Sequence, residues 1–333
     1  MSNVNLKDIK RRIKNPLTKT EFSFIKILTG SDLSNRRLPL MSIKSINPGP
    51  IVWLTACVHG DEVGSMAVVH ELFRKIKKRE LLMGEIYAFP LLNPLGFENY
   101  SRNITMSRED INRAFPGNED GSLAERIADK IFKTITKTKP VLVLDLHNDW
   151  KRSIPYAIID PIPEGTSKDV YNSAKVFGKK TGFPLILDTD DISTSLAYNL
   201  LKKNIPCLTL ELGESFVVNE KDVKQGVGAI WNVLEYLHMV NPLEKPVNYK
   251  MPEEVKDNIL TYSQKPMSHS SGIIRFLVKP EDIVRKGEPI AKIYNSIGKL
   301  IETLNAEDNG IVLGCSDSSL ALPGTAIMAF GVL

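Results

Sequence analysis

Val141-Leu142-Val143-Leu144-Asp145-Leu146-His147 begins as a run of β-formers and stops at a histidine. Read as a strand, with its period of two, it carries Asp145 and His147 on one face. Similar runs recur on both sides of it, at Ile51–Cys57, Glu85–Leu92, Tyr156–Ile159 and Cys207–Leu212. The stretches between them have helical spacing. Ser65–Arg79 brings Val68, Val69, Leu72, Phe73 and Ile76 onto one side, and Leu123–Ile135 and Gln225–His238 do likewise. Ser193–Lys203 adds a helix opened by Ser/Thr and closed by Asn204 ahead of Pro206. Short strands alternating with amphipathic helices predict an α/β unit, a mainly parallel sheet covered by helices.

At 333 residues the chain exceeds the roughly 250–300 residues at which one core stops growing. The composition changes after His238 to a Pro-punctuated stretch, Asn241-Pro242 through Pro246 to Met251-Pro252, which suits a linker. The expected division is therefore an α/β domain over 1–242, then a linker and small all-β domain over 243–333. Gly272–Val278, Pro289–Ile293, Gly310–Gly314 and Ala326–Phe330 are its expected strands. Ile283-Val284-Arg285-Lys286-Gly287-Glu288-Pro289-Ile290 and Leu320-Ala321-Leu322-Pro323-Gly324-Thr325-Ala326-Ile327 echo each other, as the halves of a barrel sandwich would.

With 42% hydrophobic and 25% charged residues, the chain is neither disordered nor collagen-like. A net charge of +4, scattered along the sequence, points to no nucleic acid or other polyanion as partner. The N-terminal basic residues Lys7, Lys10, Arg11, Arg12 and Lys14 precede no apolar core, and no uncharged run approaches the ~20 residues of a membrane span. Cys57, Cys207 and Cys315 are odd in number and far apart, which argues against a disulfide framework and for a reducing, cytoplasmic setting. Homo-oligomerisation stays open.

Ligands of open α/β sheets bind at the carboxyl ends of the strands, and three expected strands end there on polar residues. His59 leaves the first, in His59-Gly60-Asp61-Glu62, with Glu62 opening the next helix; His147 ends the central one; Glu211 ends Cys207-Leu208-Thr209-Leu210-Glu211. Two imidazoles and a carboxylate supply the three protein ligands of a catalytic zinc and leave a position for water. Zinc lowers the pKa of that water toward about 7 and polarises a carbonyl. Glu211 is the carboxylate best placed to move the water's proton as general base. Asp145, beside a ligand histidine, suits an acceptor for an imidazole N–H. Arg102, Arg108 and Arg113 in the loop after Asn93 offer forks for an oxyanion or a substrate carboxylate.

These pieces, His59-Gly60-Asp61-Glu62, Asn93-Pro94, Asp110-Ile111-Asn112-Arg113-Ala114-Phe115-Pro116-Gly117, Asp145-Leu146-His147 and Glu211-Leu212-Gly213, occur in an order that resembles the succinylglutamate desuccinylase/aspartoacylase family, relatives of zinc carboxypeptidases. The resemblance extends into the C-terminal part at Gly287, Gly298, Asp308-Asn309-Gly310 and Gly324. It implies a carboxypeptidase-like mixed sheet covered by helices and then a barrel sandwich. It also implies one zinc on His59, Glu62 and His147, Glu211 as base, and Asn112 with Arg113 gripping a substrate carboxylate. The family's further arginine, facing the scissile carbonyl, corresponds to Arg102 or Arg108, with Arg102 favoured by its spacing from Arg113. The implied activity is removal of an acyl group from a small N-acyl amino acid.

Two other functions are compatible with the same residues: a zinc carboxypeptidase trimming peptides, and a non-catalytic binding protein. His70 begins a His-Glu-x-x sequence whose fifth position is Arg74, so it reads as a plain helix residue; His238 suits a helix end and His269 a polar loop. Asp188, Asp190 and Asp191 precede a helix start and read as favourable charge there, and Phe177-Gly178-Lys179-Lys180-Thr181 reads as a helix end. Lys299 falls near the place of a carrier domain's modified lysine, but its neighbours are Gly298 and Leu300, and it reads as a solvated hairpin lysine.

Overall fold

The computed structural model describes residues 18–29, 35–189 and 192–333; Asp190, Asp191 and the basic residues Lys7, Lys10, Arg11, Arg12 and Lys14 lie outside them. The chain begins with an antiparallel hairpin, β1 (Thr18–Thr29) and β2 (Asn35–Ser45). It continues through β3 (Ile51–Ala56), α1 (Val63–Arg79), β4 (Glu85–Phe89), the short α2 (Pro94–Glu98), a 3-10 turn at Ile111–Arg113 and α3 (Leu123–Lys137). Next come β5 (Leu142–Asp149), β6 (Arg152–Ser153), β7 (Pro155–Ile159), α4 (Lys168–Thr181), β8 (Leu185–Leu187), α5 (Leu196–Lys202), β9 (Cys207–Glu214) and α6 (Glu220–Tyr236). The strands run in the order β1-β2-β4-β3-β5-β9-β7-β8. β4, β3, β5 and β9 are mutually parallel, while β2 and β7 pair antiparallel on either side of them, so the sheet is mixed.

Most expected elements appear within a few residues of their expected bounds. The helices start where side chains satisfy their free N–H groups: Ser122 and Glu125 form a capping box on α3, and Ser167, Ser195 and Asn219 cap α4, α5 and α6. Lys168–Thr181 is helical throughout, with Gly182 closing it at φ 76°. The α6 helix packs on both α1 and α4, while α5 rests on β5 and β9 and α3 touches β1. Among the described residues no helix is long and apolar enough to cross a membrane.

From 239 to 258 there is no helix or strand, yet Tyr249 and Val255 are buried, and Tyr249 meets Phe183 edge-on. The C-terminal strands are β10 (Ile259–Ser263), β11 (Gly272–Phe276), β12 (Ile283–Val284), β13 (Pro289–Tyr294), β14 (Leu300–Asn305), β15 (Gly310–Cys315), β16 (Leu320–Ala321) and β17 (Met328–Val332). They do not stand apart from the first sheet. β10 pairs parallel with β8, and β17, β15 and β12 follow it, so one sheet of 13 strands, including β6 on β15, runs through both parts of the chain. A second sheet, β14-β13-β11-β16, closes a sandwich over Ile274, Ile290, Ile293, Val312 and Phe330. The two echoing segments take the same form: a two-residue strand (β12, β16), a turn with glycine at positive φ (Gly287 at 83°, Gly324 at 78°), and a longer strand. Lys299 lies at the exposed β13–β14 turn, its N–H held by the Asn295 side chain.

Gly60 shows how tightly the loop after β3 is held. Its N–H points at the carbonyls of Ser101 and Arg102, and a Cβ there would stand 2.1 Å from the Gly96 carbonyl carbon. Gly60→Ala is expected to destabilise the protein by roughly 3 kcal/mol, the upper end for overpacking against backbone. Urea unfolding measures this, and an unchanged midpoint would mean the loop yields freely.

Candidate active site

The sheet register assembles the site. In adjacent strands Thr55, Asp145 and Thr209 form one row, and His147, Glu211 and Tyr156 form the next, at the carboxyl ends of β5 and β9. His59 arrives on the loop after β3, and Glu62 is the N-cap residue of α1. The Glu62 side chain does not cap that helix. Asn148 accepts the Ser65 N–H instead (2.8 Å), which leaves the Glu62 carboxylate for the two histidines. Its Oε1 lies 2.5 Å from His59 Nδ1 and 3.3 Å from His147 Nδ1.

One ligand atom each from His59, Glu62 and His147 lie within 4.8 Å of one another, and all three residues are buried. Both imidazoles turn Nδ1 inward and hold the far nitrogen on a second carboxylate. His147 Nε2 is 3.0 Å from Asp145 Oδ2, and His59 Nε2 is 3.2 Å from Asp110 Oδ1. Asp145 in turn accepts the Thr55 hydroxyl at 2.6 Å, and Asp110 accepts the Asn112 N–H at 2.8 Å. Such outer carboxylates orient metal-ligand histidines. The group fits a metal ion: three converging buried donors of nitrogen and oxygen, with both rings fixed from behind. Sequence reasoning gave Asp145 this place and missed Asp110. Asp110 stands two residues before Asn112, where it also caps the 3-10 turn.

A cavity of about 330 Å³ opens over this group. Its lining includes Arg102, Asn112, Arg113 and Glu211, so all the expected site residues except Asp145, which stands behind His147, face one space. Arg102 reaches 3.8 Å from Glu62 and 3.6 Å from Asp110. Arg102 lines the cavity, whereas Arg108 is exposed and outside the lining. Asn112 Oδ1 accepts the Leu196 N–H at 3.0 Å. Among the polar lining residues that sequence reasoning missed are Asp149, Tyr156, Asp160, Tyr262 and Gln264. The last two belong to and follow β10, so the C-terminal part of the chain lines the cavity. Asp188, expected only to favour a helix start, lines it as well. His70, His238 and His269 are not among the lining residues.

Burial and opposing charges set the acidities. Burial alone would raise the Glu62 carboxyl, but the His59 and His147 charges and hydrogen bonds hold it down to about 2. Burial pushes Glu211 well above the carboxylate range, with the Asp149 and Glu62 charges adding to it against His147 and Arg102. Its Oε2 is buried with no hydrogen-bond partner. Asp160 is pushed up to about 7, mainly by burial and also by Asp188, although the Ser195 hydroxyl hydrogen-bonds it. A carboxyl raised in this way binds its proton in the fold at pH values where the unfolded chain has released it. Its contribution is complete below the unfolded value of about 4 and lost as pH rises toward 7. Asp160→Asn is therefore expected to stabilise the metal-free protein at pH 8, by up to about 4 kcal/mol, and to do little at pH 4. Thermal unfolding at the two pH values checks this; an equal shift at both would contradict it.

Residues 48–237 match the family model for the succinylglutamate desuccinylase/aspartoacylase catalytic domain. The chain belongs to that family. Its members' names are those of amide-cleaving deacylases. A curated relative from Halomonas elongata, an N-alpha-acetyl-L-2,4-diaminobutyric acid deacetylase, is 24% identical over 273 residues, 78% of this chain and 74% of its own. A succinylglutamate desuccinylase structure from a Silicibacter species covers 96% of both chains with a TM-score of 0.78 at 18% identity. A metallo-carboxypeptidase from Burkholderia cenocepacia matches 69% of this chain and 67% of its own, with a TM-score of 0.55 at 12% identity. The family member's fold is thus carboxypeptidase-like with an added antiparallel β part.

Proposed function

We propose that the protein is a zinc-dependent deacylase, with one zinc per chain, hydrolysing the amide of a small N-acyl amino acid. The observation that carries the reading is the buried His59–Glu62–His147 group facing the unpartnered Glu211 Oε2 across one small cavity. Zinc, when bound, lowers the pKa of water and polarises the amide carbonyl. Glu211 accepts a proton from water and delivers it to the leaving nitrogen, a transfer that a raised carboxyl pKa favours near neutral pH. Arg102, 51% exposed and close to Glu62, supplies donors to the developing oxyanion. Asn112, fixed by the Leu196 N–H, and the exposed Arg113 hold the substrate carboxylate. The relative's named substrate, an N-acetyl amino acid, belongs to the same chemical class. Three buried free thiols fit a cytoplasmic setting.

The test is turnover of N-acetyl and N-succinyl amino acids by zinc-loaded protein, beside dipeptides of the same residues. Faster release from the acyl amino acids is expected; faster cleavage of dipeptides would favour a carboxypeptidase, and no turnover of either a binding protein. The carboxylates behind the histidines give a second test. Asp145→Asn and Asp110→Asn are each expected to weaken zinc binding roughly 10–100-fold, read by chelator competition. Unchanged affinity in both would remove the zinc assignment.

A further inference from the structure

The cavity is unevenly charged. Its only arginines or lysines among the lining residues are Arg102 and Arg113, which come with Asn112 from the loop 94–117. The ends of β5, β7 and β8 contribute Asp149, Asp160 and Asp188 and no arginine or lysine. Asp160 and Asp188 are side by side, because the Asp188 N–H is bonded to the Ile159 carbonyl. Ser195 donates its hydroxyl to Asp160 Oδ2 at 3.1 Å, and the next residue, Leu196, donates its N–H to Asn112 Oδ1 at 3.0 Å. Two consecutive residues therefore hold Asn112, a carboxylate-gripping residue in the deacylase reading, next to the half-buried Asp160 carboxylate.

That juxtaposition suits a ligand with opposite charges a few bonds apart. An anionic side chain entering here would meet Asp160 and Asp188 with like charge. A neutral one would cover the half-buried Asp160 carboxylate without supplying a counter-charge, which is unfavourable. An ammonium group would meet both with charge-assisted hydrogen bonds. Burial, which holds Asp160 up near 7, agrees with a carboxyl group that the protein itself leaves short of positive charge. The same cavity contains the buried, unpartnered Glu211 Oε2, a second sign that its polar groups are arranged for a bound molecule.

We propose that the amino acid released by this enzyme carries a cationic side chain, and that Asp160, backed by Asp188, determines this specificity by receiving its ammonium group. The proposal rests on the deacylase reading. The test compares zinc-loaded protein on three Nα-acetyl substrates of similar size: acetyl-ornithine, acetyl-norvaline and acetyl-glutamate. The kcat/KM for acetyl-ornithine is expected to exceed that for acetyl-norvaline roughly 10–100-fold, through KM, with acetyl-glutamate slowest. Asp160→Asn keeps an oxygen acceptor for Ser195 and should collapse the ornithine-to-norvaline ratio toward unity; Asp188→Asn should lower it less. A ratio unchanged in Asp160→Asn, or a wild-type preference for norvaline or glutamate, would overturn the proposal. If neither these substrates nor their N-succinyl counterparts are cleaved, the deacylase reading fails on its own, and calorimetry with free ornithine and norvaline decides the specificity separately. Tighter ornithine binding that Asp160→Asn abolishes would sustain it; equal binding, or none, would end it.

Discussion

Glu211→Gln is expected to lower kcat about 1,000-fold while zinc content stays at one per chain. The substitution preserves shape and removes only the capacity to take a proton. Glu211 lies beside His147 in the sheet register but is outside the three-residue ligand group, so the metal donors remain intact. It is also a carboxylate whose ionisation burial opposes, so the neutral amide should fold at least as well, and the melting temperature of the metal-free variant should not fall. Chemistry, metal and stability thus separate in one variant. A kcat within tenfold of wild type, with zinc retained, would show that another group moves the proton.

His147→Ala should act at all three levels. It removes one of three converging donors, so zinc measured by elemental analysis is expected to drop from one per chain to near none, with deacylase activity reduced to background. It also leaves Glu62 and Asp145 without the imidazole that both face, at 3.2 and 3.0 Å. Stranding buried carboxylates in this way costs about 3–5 kcal/mol at neutral pH. Protonation of the stranded groups should recover part of that loss in acid. Zinc held at full stoichiometry by the variant would mean that His147 is not a ligand, whatever happens to activity. Since the loss of fold and the loss of metal are read independently, zinc titration of variant that remains folded keeps the two apart.

Much of this site could be read from the sequence, for a physical reason. Helices and half-buried strands announce themselves through local periodicity, so Ser65–Arg79 was expected and Val63–Arg79 is found. His59, His147 and Glu211 end strands, and strands that alternate with helices in a parallel sheet bring their carboxyl ends to one edge. Local pattern plus topology was enough to bring those residues together. Asp110 escaped because its partner is His59, 51 residues away, and nothing within its own turn distinguishes a capping carboxylate from one that also holds an imidazole.

The N-terminal hairpin and the short strands β8 and β10 escaped for a different reason. Their pairing depends on partners elsewhere in the chain, Ile259 on Leu185 and Met41 on Ala88, and a three-residue strand has no periodicity to detect. That continuous sheet carries Tyr262 and Gln264 into the cavity, and the β7–β8 pairing sets Asp160 beside Asp188. The sequence alone therefore determined the elements, the order of the parallel strands' motifs and the chemical identity of the metal-ligand candidates, since these follow from spacing along the chain. Tertiary structure alone decided that Asp110 stands behind His59 and that Asp149, Asp160 and Asp188 line the cavity, since those are distances between residues that only long-range register brings together.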